Sequence, residues 1–230
     1  MTTGQLTNRA LRSTLLLTSG LCLALTVTAC SQSQDSNQNS GETVEINNSA
    51  VEPVSGPAPN ITVNASDPEE LEGDVLTPLS GVAVTPPEGY LMLTPERLKS
   101  GLTQVTFAWG DDSESWSYLV LEGPGELEKN SVVALADAQR ETLRTGGVAP
   151  ADVIETTWNG TAESATMVWN QATKLPYGTV TRSADAVGLW CADSDGNYYV
   201  ATAYFPAGTA TDSPEALVAL SGLMLVHEDE

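Results

Sequence analysis

Hydrophobic and polar positions alternate most cleanly in Thr103 to Trp109, where Val105, Phe107 and Trp109 share one side of an extended chain. A two-residue period is that of a half-buried strand. The turn formers GDDSES (110–115) follow, and Trp116 to Leu121 returns as a partner, predicting a hairpin. Earlier, Gly81 to Val84 reads as a short strand, stopped by Pro86-Pro87-Glu88-Gly89, where proline lacks a ladder donor and glycine admits positive φ. The period then changes. Val132, Leu135, Ala136, Gln139 and Leu143 fall on one helical face, with Asn130 or Ser131 able to cap its start and Gly146 its end.

Strand periodicity resumes at Val153–Trp158 and Ala162–Trp169, which flank Asn159-Gly160, a pair suited to a type I′ turn. Thr179–Thr181 is a further short strand. Val187–Ala192 and Asn197–Phe205 flank Asp193-Ser194-Asp195-Gly196 as a third hairpin. Both sides of Tyr198 to Phe205 carry apolar groups, which predicts a central strand. Asp212 and Glu215 have the spacing of a capping box around Pro214, opening a helix that Gly222 can stop before a buried tail, Leu223–Val226; a longer helix through Val226 also fits. The fold class is therefore α+β, an antiparallel sheet of hairpins with helices packed on its faces.

The N-terminal part departs from this pattern. Arg9 and Arg12 precede an apolar run from Leu15 to about Val27 that ends in Val27-Thr28-Ala29-Cys30. A basic start, a short apolar core and small residues describe a secretory leader. The core is shorter than the ~20 residues that span a bilayer, so a retained membrane helix fits less well. An ordinary leader cut at a small-residue site is the other alternative. Val27-Thr28-Ala29-Cys30 resembles a bacterial lipobox. The resemblance implies thioether lipidation of Cys30, removal of residues 1–29, and attachment to the outer face of the bacterial cell membrane. Two or more acyl chains would hold such an anchor stably.

Residues 31–41 contain no apolar side chain, and no Lys or Arg occurs between Cys30 and Arg97. That composition buries too little apolar area to offset ordering entropy. The reading is thus a leader over 1–29, an acidic Ser/Asn/Gln/Pro-rich disordered tether over 30–75, and one α+β domain over 76–230. Ile61-Thr62-Val63-Asn64 has the alternation of an added edge strand. Sequons at Asn60, Asn64 and Asn159 imply no glycans in a bacterial lipoprotein.

Composition narrows the partners. The formal net charge is −21, and loss of Arg9 and Arg12 with a leader takes it to −23. Such a chain is repelled by nucleic acid, which is excluded as a partner, and by anionic membrane surfaces. An envelope protein, a glycan or a lipid remains admissible. The same charge also serves solubility alone. Of three cysteines, Cys22 lies in the leader and Cys30 would be acylated, so Cys191 has no partner for a disulfide. It sits in the apolar strand VGLWCA, which predicts a buried thiol rather than a reactive one.

No catalytic residues are assigned and no enzyme is expected. The single histidine, His227, stands in the acidic tail, whereas a nucleophile–histidine site needs a scaffolded base. No HExxH, CxxC, P-loop or GxGxxG occurs, and no cofactor is implied. With 30 acidic residues, pairs arise by chance, so a hydrolase of envelope polymers using paired carboxylates stays an alternative without a motif. Asp193-Ser194-Asp195-Gly196-Asn197 has part of a calcium loop's spacing, but a D-x-D-G turn explains it equally and no metal ligand is assigned; Asp111-Asp112-Ser113-Glu114 is read likewise. A calcium-stabilised module is the remaining alternative. Trp109, Trp116, Trp158, Trp169 and Trp190 lie in or beside strands as core fillers. One or two would line a ligand groove in the other reading, with Trp109 and Trp116 the pair expected to be partly exposed.

With the elements placed, GVAVTPPEGY, TTWNGTAESATMVW and NYYVATAYFP followed by DSPEALVALSGLML make residues 80–226 resemble the Mog1/PsbP-like fold of small bacterial lipoproteins. The resemblance implies an antiparallel sheet between helical layers and a non-enzymatic accessory or binding role. It carries over no functional residues, because fold does not set function. The function expected from the sequence is that of a surface-tethered, ligand- or partner-binding envelope lipoprotein.

Overall fold

The computed structural model describes residues 56–67, 70–110, 115–127, 130–176 and 180–226. Cys30, most of the expected tether, the loop 111–114 and His227 lie outside the described residues. The architecture is mixed α+β and rich in strand. Its elements are β1 (Leu76–Leu79), β2 (Val82–Val84), β3 (Leu91–Met92), β4 (Glu96–Arg97), β5 (Thr103–Gly110), β6 (Trp116–Glu126), α1 (Val132–Thr145), β7 (Ile154–Thr156), β8 (Glu163–Lys174), β9 (Thr181–Ala192), β10 (Asn197–Pro206), α2 (Glu215–Ser221) and β11 (Met224–Leu225). The large sheet runs β3-β5-β6-β10-β9-β8-β7, with β4 also on β5, and every pairing is antiparallel. A small sheet, β1-β2-β11, is also antiparallel.

The two faces of the large sheet are covered differently. Val105, Phe107 and Trp109 (β5), Leu119 and Leu121 (β6), Ala201, Ala203 and Phe205 (β10), and Val187, Leu189 and Cys191 (β9) form the main core with α2 and the small sheet. On the opposite face, α1 packs Val132 and Ala136 onto Ala165, Met167 and Trp169 of β8 and Ala186, Trp190 and Ala192 of β9. The end of the β8–β9 hairpin brings Leu175 and Ala184 against Ala108, Trp116 and Tyr118. Strand β10 lies between β6 and β9, as its two-sided pattern requires.

Several local expectations change. Thr181 is not in a separate short strand but opens β9, which pairs with β8 from Lys174 to Glu163, and Thr179 lies outside the described residues. The hairpin around Asn159-Gly160 exists, but β7 ends at Thr156 opposite Ser164, leaving seven residues between the pair rather than a two-residue turn. Trp158 explains this, because its ring is buried in the core and its Nε1 donates to the Leu223 carbonyl at 2.8 Å. Gly146 keeps an ordinary φ of −78°, and Gly147 takes the positive φ of 84°.

The capping box does not form either. Asp212 closes a 3₁₀ turn over Ala210–Asp212. The hydroxyl of Ser117, on β6, instead accepts from Ala216 N at 3.2 Å and donates to the Glu215 carboxylate at 3.1 Å. Ser131 does cap α1, accepting from Ala134 N.

Within the stretch expected to be disordered, residues 56–67 are laid along the domain. Ile61, Val63 and Ala65 alternate inward and pack against the main core, while Asn60, Thr62 and Asn64 face solvent. Alternation therefore buries one side of an extended strap without any strand ladder in it. Its ends are fixed by side chains. Gly56 N donates to Asn170 Oδ1 at 2.9 Å, and Asn159 Nδ2 donates to the Ser66 carbonyl at 2.7 Å. Asn170 also donates to Asp185, whose other carboxylate oxygen accepts from Gly208 N. Among the described residues no helix is long and apolar enough to cross a membrane.

Candidate functional site

Strand register assembles a site that no single segment carries. Directly paired residues on neighbouring strands point to the same side of a sheet. On the face that bears α1, Thr106 of β5 pairs with Val120 of β6, Val120 with Thr202 of β10, and Thr202 with Gly188 of β9. Four small or medium side chains thus form one row across four strands. At the usual strand spacing the row is about 14 Å long.

Larger side chains flank it on both sides at β6 and on one side each at β5 and β10, where Ala108 and Val200 are no larger than Thr106 and Thr202. One side is Ala108, Tyr118, Tyr204, Ala186 and Trp169 in register. Tyr118 and Tyr204 stack with centroids 4.7 Å apart, Tyr204 meets Trp169 edge-on at 6.3 Å, and Trp116 stacks on Tyr118 at 5.9 Å. The other side is Gln104, Glu122, Val200 and Trp190. The result is a trough. It is closed at Gly188, where a β-carbon would lie 2.6 Å from the Trp190 ring and 3.0 Å from Trp169. At the other strands Thr106, Val120, Glu122, Val200, Thr202 and Tyr204 are half-buried; Val200 and Tyr204 pack against the cluster that holds α1, and Val120 and Tyr204 against the one that holds Leu175.

Electrostatics centre on Glu122. Its Oε1 accepts from Gln104 Nε2 at 2.7 Å. Burial raises its carboxyl above the ordinary range, and the Gln104 hydrogen bond offsets part of that rise. Burial and then the Glu122 charge push the hydroxyls of Tyr198 and Tyr204 up, so the field of this carboxylate reaches across the trough. All ion pairs among the described residues join Arg140 or Arg144 on α1 to Asp137, Glu141 or Asp152, and none involves Glu122.

A second concavity, a cleft of about 460 Å³, lies at the start of α1 beside β7 and β8. Its polar groups are engaged with one another. Glu163 accepts from Val132 N, Ser131 from Ala134 N, and Ser164 donates to the Thr156 carbonyl. The trough differs in presenting Thr106 and Thr202 hydroxyls that no described residue engages.

The residues singled out in the sequence fall elsewhere. All five tryptophans are buried, at 2–4% exposure, as core fillers, including Trp109 and Trp116, the pair that the ligand-groove alternative would have left partly exposed. Trp109 lies in the main core with its Nε1 donating to the Pro87 carbonyl at 3.0 Å, and Trp116 lies under Leu175. The aromatic edge of the open face is made by tyrosines instead. Cys191 is buried in the main core, and burial, with Asp193 nearby, pushes its thiol up to about 12. In the Asp193–Asn197 turn, Asp193 Oδ1 accepts from the amides of Asp195 and Asn197, and Oδ2 from Asn197 Nδ2. The turn's own donors therefore occupy the carboxylate that a calcium ion would need. Among the described residues no group of three or more metal-ligating side chains converges. Sequence reasoning missed Glu122 because WSYLVLEG reads as strand alone. The one available signal was a lone carboxylate on a strand rich in apolar residues.

No protein-family model matches the chain, and no curated protein or solved structure matches it.

Proposed function

We propose that the protein is exported, lipid-anchored through Cys30 at the outer face of the bacterial cell membrane, and acts there as a non-enzymatic binding module for an envelope partner. The observation that carries the binding role is the half-exposed trough across β5, β6 and β10, with its free hydroxyls, tyrosine wall and single carboxylate. Ligand sites combine such an apolar body with a few placed polar groups. The strap 56–67 supports the arrangement, because its inward residues pack on the main core, on the side of the sheet away from the trough. Between Cys30 and Gly56 the chain can span at most about 90 Å, enough to hold a domain clear of a bilayer.

A finer fold reading belongs with this proposal. An antiparallel sheet with α1 on one face and α2 on the other is compatible with the Mog1/PsbP-like sandwich that the sequence resembles.

The anchor is tested by the intact mass of membrane-extracted protein beside a Cys30→Ala control. The expected mass is that of residues 30–230 plus acyl groups, absent from the control. An unmodified mass, or one beginning at another residue, would overturn the anchor.

A further inference from the structure

We propose that the trough is a docking groove for an extended, basic segment of a partner protein, with Glu122 accepting a lysine or arginine side chain. The inference rests on the binding-module reading and names its partner's chemistry. Three observations converge on it. The row Thr106–Val120–Thr202 runs between Tyr118 and Tyr204 on one side and Gln104 and Glu122 on the other and ends at Trp169 and Trp190, so about three residues of extended chain fit along its open length of roughly 10 Å. Threonine hydroxyls on the floor can both donate to and accept from a peptide backbone. Glu122 stands in the flanking row with one neutral donor, Gln104, and no ion-pair partner among the described residues.

Charge selects the occupant. A half-buried carboxylate has lost part of its hydration, and a single amide hydrogen bond restores less than a cation would. The whole chain carries a net charge of −21, which draws in cationic partners and repels acidic ones. An anionic lipid headgroup or an acidic polymer would meet Glu122 with like charge. A neutral glycan would find hydroxyl and amide groups but no exposed ring face on Tyr204, whose ring stacks on Tyr118 and meets the edge of Trp169.

Binding is measured with the full mature chain in detergent at physiological salt, where diffuse attraction is screened over about 8 Å. The probes are acetyl-(Thr-Lys)3-amide, its neutral analogue acetyl-(Thr-Gln)3-amide, and chitohexaose. The lysine peptide is expected to bind and the glutamine peptide to bind at least tenfold more weakly. Glu122→Gln, and separately Thr202→Phe, which fills the floor, should each weaken the lysine peptide by about tenfold or more. Glu155→Gln, on β7, should leave it unchanged. Thermal melts of the variants verify the fold. Equal weakening by Glu122→Gln and Glu155→Gln would mean diffuse electrostatics and overturn the groove. Trough-dependent binding of chitohexaose in place of the peptide, or no binding of the peptide, would overturn the assigned partner. The acylation state of Cys30 does not enter these titrations, so failure of the anchor and failure of the groove are separable.

Discussion

The Ser117 hydroxyl stands at the start of α2, 3.2 Å from the Ala216 amide that it accepts from and 3.1 Å from the Glu215 carboxylate that it donates to. A strand residue thereby does the work of a helix cap. Pro214, in the capping position, has no side chain able to make that bond. Ser117 is buried, so losing its hydroxyl leaves both partners short of a hydrogen bond. Ser117→Ala is expected to cost about 1–2 kcal/mol of stability. Denaturant melts check this, and an unchanged midpoint would mean that water replaces the cap without loss.

Gly188 closes the trough by having no side chain. Gly188→Ala places a methyl group 2.6 Å from Trp190 and 3.0 Å from Trp169, both buried. Overpacking of this kind costs about 1–3 kcal/mol. The variant should melt earlier, and its tryptophan fluorescence should shift as the two rings part. A melt identical to the parent would show that the rings move aside freely.

Glu122 should separate stability from binding. Its folded-state carboxyl is raised by burial, so ionisation is harder in the folded protein than in the unfolded chain. The resulting destabilisation is present in full above the raised value and is relieved as pH falls through it towards the ordinary carboxylate range. Gln104 of β5 faces this group, and Tyr198 and Tyr204 of β10 are the titratable neighbours that feel its charge; both hydroxyls stay protonated across this range. Glu122→Gln should therefore melt at least as high as the parent at pH 7, with the difference vanishing in acid, while the lysine peptide is lost. A lower melting temperature at pH 7 would make Glu122 a structural residue.

Cys191 should be silent. With its thiol pushed up to about 12 and its side chain buried, almost no thiolate exists at pH 8. A disulfide reagent should label it only after denaturation, at the unfolding rate. Prompt labelling of the folded protein would mean that β9 opens locally.

The strap is expected to loosen from one end. Asn170 holds Gly56 and Asp185 together inside the sheet. Asn170→Ala should abolish protection of the Gly56 amide from hydrogen exchange and lower stability by about 1–3 kcal/mol, because Asp185 keeps only Gly208. Persistent protection at Gly56 would assign the strap's hold to Ile61, Val63 and Ala65 alone.

Much of the fold was legible because it is written in short-range periodicity. The alternation at 103–109 and 197–205, the helical face from Val132 to Leu143 and the turn at Asp193–Gly196 each depend on residues near one another in the chain, and each appears in place. The burial of Cys191 followed from the same local logic. Expectations failed where a distant group intervened. Trp158 left its strand because Leu223 offered a carbonyl in the core. Asp212 capped nothing because Ser117 already served the helix. Residues 56–67 looked too polar to order, yet Ile61, Val63 and Ala65 pack against the main core.

By itself, then, the sequence determined the α+β class and the central place of β10. The tertiary structure alone decided which residues line the trough. The trough needs Thr106, Val120, Thr202 and Gly188 in one line, and only the register of four strands brings them there. A shift of one residue in any strand would turn its row to the opposite face. Periodicity tells which residues share a side of one strand, but packing and hydrogen bonding between strands set which of them meet.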